Sequence, residues 1–234
     1  MQYNAMRDYY EVQNKEGAYT AYYERPATIS LVGDVAGLRV LEVGCGPGVL
    51  TSWLADHGAA VTAIDISEQM IRLARRRVGD RARILEADLA EPLSFAADAS
   101  MDLIVASLVL HYVADWTAVF GEFHRILATG GVVVFSTHHP AMDWQMHSRD
   151  DYFAVKQVTE VWDTGGKPFE VTFWRRPLRT MTQSITNAGF VIDQLLEPDP
   201  IPELSLYDHE RDMLIRNSPT FLFFRLIKRL SDLR

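Results

Sequence analysis

The middle of the chain alternates between short apolar runs and longer amphipathic stretches. Each apolar run is five or six residues long, which is typical of a buried β-strand. A regular alternation of strands and helices predicts right-handed crossovers and a parallel sheet covered by helices on both faces. The predicted strands are 38–43, 60–64, 82–86, 101–106 and 132–136, and the predicted helices are 49–56, 68–78 and 116–127.

The ends of the chain have a different pattern. Residues 1–30 are rich in tyrosine and look helical but are too polar for a core, so we expect them to form a flap across the domain. A helix at 178–187 and strands at 190–196 and 220–228 are predicted near the C-terminus. No linker is long enough to divide the chain. We therefore expect one domain, 1–234, with a flap at 1–30, a core at 38–136, an excursion at 141–176 and a C-terminal completion of the sheet at 177–234.

The excursion at 141–176 carries most of the aromatic side chains that follow the core. Its β-like alternation falls in two runs, 155–162 and 170–174. A Gly165-Gly166 pair lies between these runs, and such a pair is typical of a tight turn. The excursion is therefore predicted to be a β-hairpin.

A glycine-rich loop, Gly44-Cys45-Gly46-Pro47-Gly48, follows the first predicted strand. An open α/β sheet binds its ligands at this edge, and glycine lets the backbone approach a ligand closely. The Gly-x-Gly-x-Gly spacing is shorter than the one that sets a pyrophosphate on a helix N-terminus. Pro47 also removes an N–H group that a phosphate would use. The loop therefore favours a ligand without phosphates and disfavours a nicotinamide oxidoreductase.

Acidic residues follow the next two predicted strands. Asp65 comes about 20 residues after the glycines, where such folds place an acid on a ribose diol. Asp88 follows the third strand, and its carboxylate can accept a hydrogen bond from an exocyclic amine such as that of adenine. Considered singly, the glycines can serve a tight turn and Asp88 can cap one. Their order along one edge of the sheet is what favours a binding crevice.

These residues resemble the class I S-adenosylmethionine-dependent methyltransferases, in particular their small-molecule, methyltransferase type 11-like branch. The resemblance rests on VLEVGCGPG at 40–48, AIDIS at 63–67, EADL at 86–89, MDLIVASLVLHYVADW at 101–116 and HRILATGGVVVFS at 124–136. It implies an α/β fold with a Rossmann-like, doubly wound, mostly parallel sheet of seven strands whose last strand is antiparallel. An N-terminal helical flap and a β-hairpin excursion after the fifth strand complete the implied fold.

The same resemblance implies S-adenosyl-L-methionine as the cofactor and S-adenosyl-L-homocysteine as its product. The glycines would accommodate the methionine part, Asp65 the ribose hydroxyls and Asp88 the adenine amine. Glu42 would orient the loop or meet the cofactor's ammonium group through water. The implied cofactor-binding residues are Glu42, Gly44, Cys45, Gly46, Gly48, Asp65, Ile66, Met70, Asp88, Leu89, Ser107 and Leu108.

Three histidines that follow the fourth and fifth strands are candidate catalytic bases: His111, His138 and His139. Two interpretations of His111 stay open, because a histidine at a strand end either faces a ligand or bonds a loop carbonyl. Consecutive side chains of an extended segment point to opposite sides, so His138 and His139 are not expected to bind one metal ion, and we expect no metal. The resemblance favours His139 as the residue that orients or deprotonates the acceptor.

The candidate substrate-binding residues are aromatic side chains from the flap and the excursion. Aromatic stripes also form hairpin cores, and both interpretations stay open here. The position of the excursion after the fifth strand, where this branch inserts its substrate-recognition elements, supports the binding role. The candidates are Tyr22, Trp144, Tyr152 and Trp174.

Composition limits the partners. A net charge of −8 argues against a phosphate backbone as the main partner, because such proteins carry clustered Lys and Arg. The arginines at 72–83 are a local exception and keep a tRNA-nucleoside methyltransferase as an alternative. Cys45 is the single cysteine, which excludes an internal disulfide, and it lies in a loop used for its backbone.

The sequence also bears on location and on the reaction. No apolar run approaches the length of a membrane span, and the N-terminus lacks the apolar core of a signal peptide. We therefore expect a cytoplasmic monomer or homodimer. The expected activity is methyl transfer to an O, N or C atom of a small-molecule acceptor. A module that binds S-adenosylmethionine without transferring its methyl group is a further alternative.

Overall fold

A seven-stranded sheet forms the centre of the protein. The structure is a computed structural model, and it describes residues 17–147, 149–162 and 168–229. The sheet contains β1 (Arg39–Val43), β2 (Ala60–Asp65), β3 (Ala82–Glu86), β4 (Met101–Ala106), β5 (Leu127–His138), β8 (Phe190–Leu196) and β9 (Phe221–Lys228). A separate antiparallel hairpin pairs β6 (Lys156–Trp162) with β7 (Phe169–Arg175).

The strand order is β3-β2-β1-β4-β5-β9-β8. Every pair from β3 to β5 is parallel, whereas β9 runs antiparallel to both β5 and β8. This confirms the predicted doubly wound, mostly parallel sheet with an antiparallel last strand. The carboxyl ends of β1 to β5 consequently meet along one edge of the sheet.

Helices cover both faces of the sheet. The α-helices of the described residues are α1 (Arg25–Val32), α2 (Val49–Asp56), α3 (Glu68–Val78), α4 (Trp116–Ile126), α5 (Pro140–Met146), α6 (Leu178–Asn187), α7 (Glu203–Tyr207) and α8 (His209–Asn217). Buried residues of α1, α2 and α3 share one apolar core, and those of α4 and α6 share a second core on the opposite face. β1 and β4 are buried over most of their length and are largely apolar, as is typical of central parallel strands.

Local sequence signals explain where the helices begin. The Ser67 side chain accepts a hydrogen bond from Met70 N at the start of α3, and Asp115 accepts from Thr117 N and Ala118 N at the start of α4. Side-chain acceptors at this position satisfy backbone N–H groups that have no partner within the helix. The predicted bounds of α2, α3 and α6 are confirmed by the structure.

The start of β5 differs from the prediction. Residues 129–131 were expected to separate the preceding helix from the strand, but α4 ends at Ile126 and β5 begins at Leu127. Met101 pairs with Leu127 and Leu103 pairs with Val132, so the register shifts across the intervening residues. The glycines therefore form an irregularity inside the strand, where Gly130 adopts a φ of 75°.

The N-terminal region is helical where it is described, from residue 17, but it is not a polar cover. A π-helical turn, Thr20–Glu24, leads into α1. Tyr23 and Glu24 are each 1% exposed, and Thr28 is fully buried. The expectation that these residues are too polar for the core is therefore wrong. Residues 1–16 of the predicted flap lie outside the described residues, as does the Gly165-Gly166 turn of the hairpin.

Candidate functional site

A cavity of about 740 Å³ opens at the carboxyl ends of the parallel strands. Its lining comes from the strand ends of β1 to β4, from residues 17–25, and from Trp174 of the hairpin. Eleven of the twelve residues predicted to bind the cofactor lie on this lining, and Gly48 is the exception. The eleven are Glu42, Gly44, Cys45, Gly46, Asp65, Ile66, Met70, Asp88, Leu89, Ser107 and Leu108.

The glycine loop packs too closely for larger residues at two of its positions. Gly44 has a φ of 71°, and a Cβ there would lie 2.6 Å from Cγ2 of Val109, which also lines the cavity. Gly48 has a φ of 79°, and its Cβ would lie 2.9 Å from the Ala74 Cα. Gly48 therefore serves the packing of α2 on α3 and not the lining itself, which explains the single exception.

Asp65 connects the end of β2 to the glycine loop. Its Oδ2 accepts from Gly46 N at 2.9 Å, and its Oδ1 accepts from Ser67 N at 2.9 Å. Burial raises the pKa of Asp65, and backbone N–H groups of Ser67, Gly46 and Ile66 oppose that rise. The carboxyl group is thus held at the cavity wall by the backbone of both loops.

Glu42 is buried beneath the same loop, with 2% of its surface exposed. Burial, together with the nearby charges of Asp65 and Glu24, raises the pKa of Glu42 to about 8. Within the described residues its Oε2 is buried without a hydrogen-bond partner. An orphaned carboxyl oxygen on a cavity wall fits a ligand that brings a hydrogen-bond donor, such as the ammonium group of S-adenosylmethionine.

The end of the cavity near β2 and β3 has the features of a purine site. Ile66 is 44% exposed and Met70 is 3% exposed, and both line the cavity. Asp88 is exposed and accepts from Ala90 N at 2.8 Å within a turn. Ile66 and Met70 provide apolar surface for a flat ring, and Asp88 belongs to the same lining. These residues fit the adenosine part of the cofactor.

The three candidate histidines lie off the cavity lining. The rings of His111 and His138 stack with centroids 3.9 Å apart, and His111 is 2% exposed. Burial, and to a lesser degree the charges of His138 and Arg176, lowers the pKa of His111 well below its usual value. His138 Nδ1 lies 3.4 Å from Asp143 Oδ1. The pair is packed behind the cavity wall.

His139 points away from His138, as the alternation of an extended segment predicts. Its Nε2 lies 2.6 Å from Glu197 Oε1, and its Nδ1 accepts from Ala141 N at 3.3 Å. His139 therefore caps α5, with Pro140 at the first helical position. The structure gives it a structural role and does not bring it to the cavity. In the described part of the chain, no group of three or more His, Cys, Asp or Glu is arranged to hold a metal ion.

Of the four aromatic candidates for the acceptor, the structure places Trp174 on the cavity lining. The other three are engaged elsewhere. Tyr22 packs on Tyr207, with ring centroids 5.2 Å apart. Trp144 Nε1 donates to the Asp150 carbonyl, and the Tyr152 hydroxyl accepts from Leu178 N. They serve the packing of the hairpin and of the C-terminal helices.

Sequence reasoning missed several residues of the lining, among them Glu24, Tyr112 and Val113. Glu24 accepts hydrogen bonds from Ser107 and Ser136 at the ends of β4 and β5. A single acid in a tyrosine-rich helical stretch gives no signal of such contacts. Tyr112 and Val113 follow β4 directly, so their position after a parallel strand could have indicated them.

The structure also shows the surroundings of Cys45 and of the arginine cluster at 72–83. Burial and the charges of Glu42 and Asp65 raise the pKa of the Cys45 thiol, which leaves it unsuited to nucleophilic attack. In the arginine cluster, Arg72 pairs with Glu68 at 2.7 Å and Arg81 pairs with Asp56. These contacts are typical of a solvated helix face. No helix among the described residues is both long and apolar enough to cross a membrane.

Known proteins match the part of this chain that contains the glycine loop and the strands beside it. Residues 41–135 match the family model of a methyltransferase domain. A protein of Listeria monocytogenes described as an S-adenosylmethionine-dependent methyltransferase is 25% identical, with a TM-score of 0.78 over 88% of this chain and 97% of that chain. An S-adenosylmethionine-dependent methyltransferase from Mesorhizobium loti is 27% identical, with a TM-score of 0.72 over 91% of this chain and 99% of that chain.

A curated relative with a named activity matches over a shorter region. The ubiquinone biosynthesis O-methyltransferase of Thiobacillus denitrificans is 34% identical over 105 residues, which are 44% of this chain and 45% of that protein. The chain therefore matches less than half the length of this relative. A match of this length does not assign an acceptor to this chain.

Proposed function

The chain belongs to the class I S-adenosylmethionine-dependent methyltransferases, and from this premise we propose that it methylates an O, N or C atom of a small metabolite. The observation that carries the proposal is the single cavity in which eleven predicted cofactor residues meet. The same cavity continues past the glycine loop to Trp174 and Tyr112, which leaves room for an acceptor beside the cofactor.

The proposed chemistry asks little of the protein beyond binding and alignment. S-adenosylmethionine supplies an activated methyl group on its sulfonium. The chain's own residues must hold the acceptor in line with that group and keep water away from it, and such alignment contributes several kcal/mol. The wall that would exclude water is formed by Leu108, Val109, Val113 and Trp174.

A small acceptor is favoured by the surroundings of the cavity. The net charge of −8 disfavours a nucleic acid, and arginines of the 72–83 cluster form ion pairs within the domain. The named relative is an O-methyltransferase, which supports oxygen as the acceptor atom for this chain.

Calorimetry with S-adenosylhomocysteine tests the cofactor part of the proposal. We expect Asp65→Ala to weaken binding by about tenfold or more, because a lost bond between a carboxylate and a ligand costs about 1.5–3 kcal/mol. Asp80→Ala removes an exposed acid that lies off the cavity and is the matched control. Unfolding midpoints show whether both variants stay folded. Equal affinity in the two variants, or tight NADH binding by the unmodified protein, would contradict the proposal.

Release of S-adenosylhomocysteine across a panel of small acceptors tests transfer itself. Turnover on a small hydroxyl, amine or carbon acceptor is the expected result. Turnover confined to tRNA would instead support the nucleoside methyltransferase. Tight cofactor binding with no turnover on either panel would support a module that binds without transferring.

A further inference from the structure

The cavity contains an acid, Glu24, that the cofactor motifs do not include. It is 1% exposed and lies at the end of the π-helical turn that precedes α1. Its Oε1 accepts from the hydroxyls of Thr28 at 2.7 Å, Ser107 at 2.8 Å and Ser136 at 2.6 Å. Three donors on one oxygen fix the carboxylate in position and replace the water that it loses on burial.

The second oxygen of Glu24 has no comparable support. All three of these hydrogen bonds end on Oε1, and none of them involves Oε2. A carboxylate oxygen that no protein donor occupies can accept a hydrogen bond from a bound ligand. Because Glu24 lines the cavity, a ligand there can supply the donor.

The strand order places Glu24 on the acceptor side. The glycine loop follows β1, Asp65 ends β2 and Asp88 follows β3, so these residues lie on one side of the β1–β4 boundary. Glu24 instead bonds Ser107 at the end of β4 and Ser136 in β5, on the other side. A molecule that approaches the methyl group from beyond the glycine loop therefore meets Glu24.

Apolar side chains surround this position on the lining. Leu108, Tyr112 and Trp174 belong to the same cavity. Leu108 has a φ of 46°, which is unusual for a leucine, and its N–H donates to the Ser136 hydroxyl at 2.9 Å. The Ser136 hydroxyl thus links Glu24 to the strained backbone beside it. The lining thus places the acid Glu24 together with apolar side chains and with the neighbouring basic residue Arg25.

We propose that Glu24 selects the acceptor by binding an O–H or N–H group on a molecule with an apolar body, and that it excludes molecules presenting a carboxylate there. This inference rests on the proposed function, because it names the acceptor class of the same cavity. A carboxylate ligand would place two like charges together in a buried site. An ammonium group adds Coulomb attraction to its hydrogen bond with the carboxylate, which an alcohol does not, so amines bind better than alcohols.

The test compares three ligands that share one ring: benzylamine, benzyl alcohol and benzoate. Each is titrated into protein saturated with S-adenosylhomocysteine, and calorimetry gives its affinity without any need for turnover. We expect affinity to fall from benzylamine to benzyl alcohol to benzoate. Glu24→Gln keeps the shape of the side chain but removes its charge, and it should weaken benzylamine by about tenfold or more, a change of about 1.4 kcal/mol.

Thr28→Val is the matched control. It removes one of the three hydroxyl donors and keeps the Glu24 charge, so the order of the three ligands should persist. S-adenosylhomocysteine should bind Glu24→Gln as it binds the unmodified protein, which separates acceptor selection from a general loss of the site. Should the Gln variant not fold, Glu24→Asp retains the charge one methylene further from the ligand and should weaken benzylamine by a smaller factor.

Benzoate binding as tightly as benzylamine would overturn the inference, as would an unchanged affinity of Glu24→Gln for benzylamine or no binding of any of the three. Failure of the proposed function has a different signature, because S-adenosylhomocysteine would then not bind or no acceptor would be methylated. The three ligands can also be titrated into the protein without S-adenosylhomocysteine, so the two failures are distinguishable.

Discussion

Glu42 makes a quantitative prediction about stability and pH. Its carboxyl group is buried at the end of β1, and its pKa rises from 4.5 to about 8 on folding. A raised pKa in the folded state means that the neutral form folds more favourably than the charged form. The contribution of Glu42 is therefore fully present below pH 4.5 and is lost as the pH rises through 8.

Each pH unit between the two pKa values changes the free energy of unfolding by about 1.4 kcal/mol for this group. From pH 4.5 to pH 7 the loss amounts to about 3 kcal/mol, and it reaches about 5 kcal/mol above pH 8. Glu42→Gln replaces the group with a neutral amide of the same shape. The variant should lack this loss, so its stability relative to the unmodified protein should rise steadily with pH.

Urea denaturation at pH 4.5, 5, 6, 7 and 8 measures the effect. We compare the free energy of unfolding of Glu42→Gln with that of the unmodified protein. Between pH 4.5 and pH 7 this difference should shift in favour of the variant by about 3 kcal/mol, or roughly 9 °C in melting temperature for a chain of this size. Glu86→Gln, at an exposed position of β3, is the control and should run parallel to the unmodified protein. Parallel profiles for Glu42→Gln would show that Glu42 is charged in the folded protein at pH 7 and would refute the reasoning.

Two further predictions concern the loop and the histidines. Gly48→Ala should lower the free energy of unfolding by about 3 kcal/mol, because Gly48 has a positive φ and the added Cβ would lie 2.9 Å from Ala74 Cα. Gly46→Ala should lower it by only about 1 kcal/mol, because nothing lies within 4 Å of the added Cβ. Similar urea midpoints for the two variants would contradict this prediction. His139→Ala should lose about 1 kcal/mol of helix capping with little change in kcat/KM on an accepted substrate, and a large fall in kcat at unchanged KM would restore His139 as a base.

The sheet and the cofactor end of the cavity were predictable because their signals are local. Buried parallel strands are apolar in continuous runs, and the residues after them are brought together by the sheet itself. Asp65 and Asp88 were therefore placed correctly at one edge from their position after β2 and β3. The starts of α3 and α4 also follow from side chains at their N-caps.

The acceptor end was not predictable because its contacts join distant parts of the chain. Glu24 bonds Ser107 and Ser136, which are 83 and 112 residues away. Those hydroxyls make it favourable to bury the acidic side chain of this helix. Local polarity does not reveal such distant partners, and it therefore predicts that the helix lies on the surface. At His139 the local signal is Pro140, which is typical of the first helical position, and the structure places His139 at the N-cap of α5.

The four acids of the cavity are stabilised in four different ways, and the differences indicate what each can bind. Backbone N–H groups hold Asp65, hydroxyls hold one oxygen of Glu24, and exposure hydrates Asp88. Glu42, with a pKa near 8, is mostly protonated at neutral pH. Glu42 can therefore donate as well as accept a hydrogen bond, and the same lining also carries Arg25 and Arg77. A ligand meets both acidic and basic side chains along one cavity, so the donors proposed for Asp65, Asp88 and Glu24 follow from where each acid lies and not from the net charge of the lining.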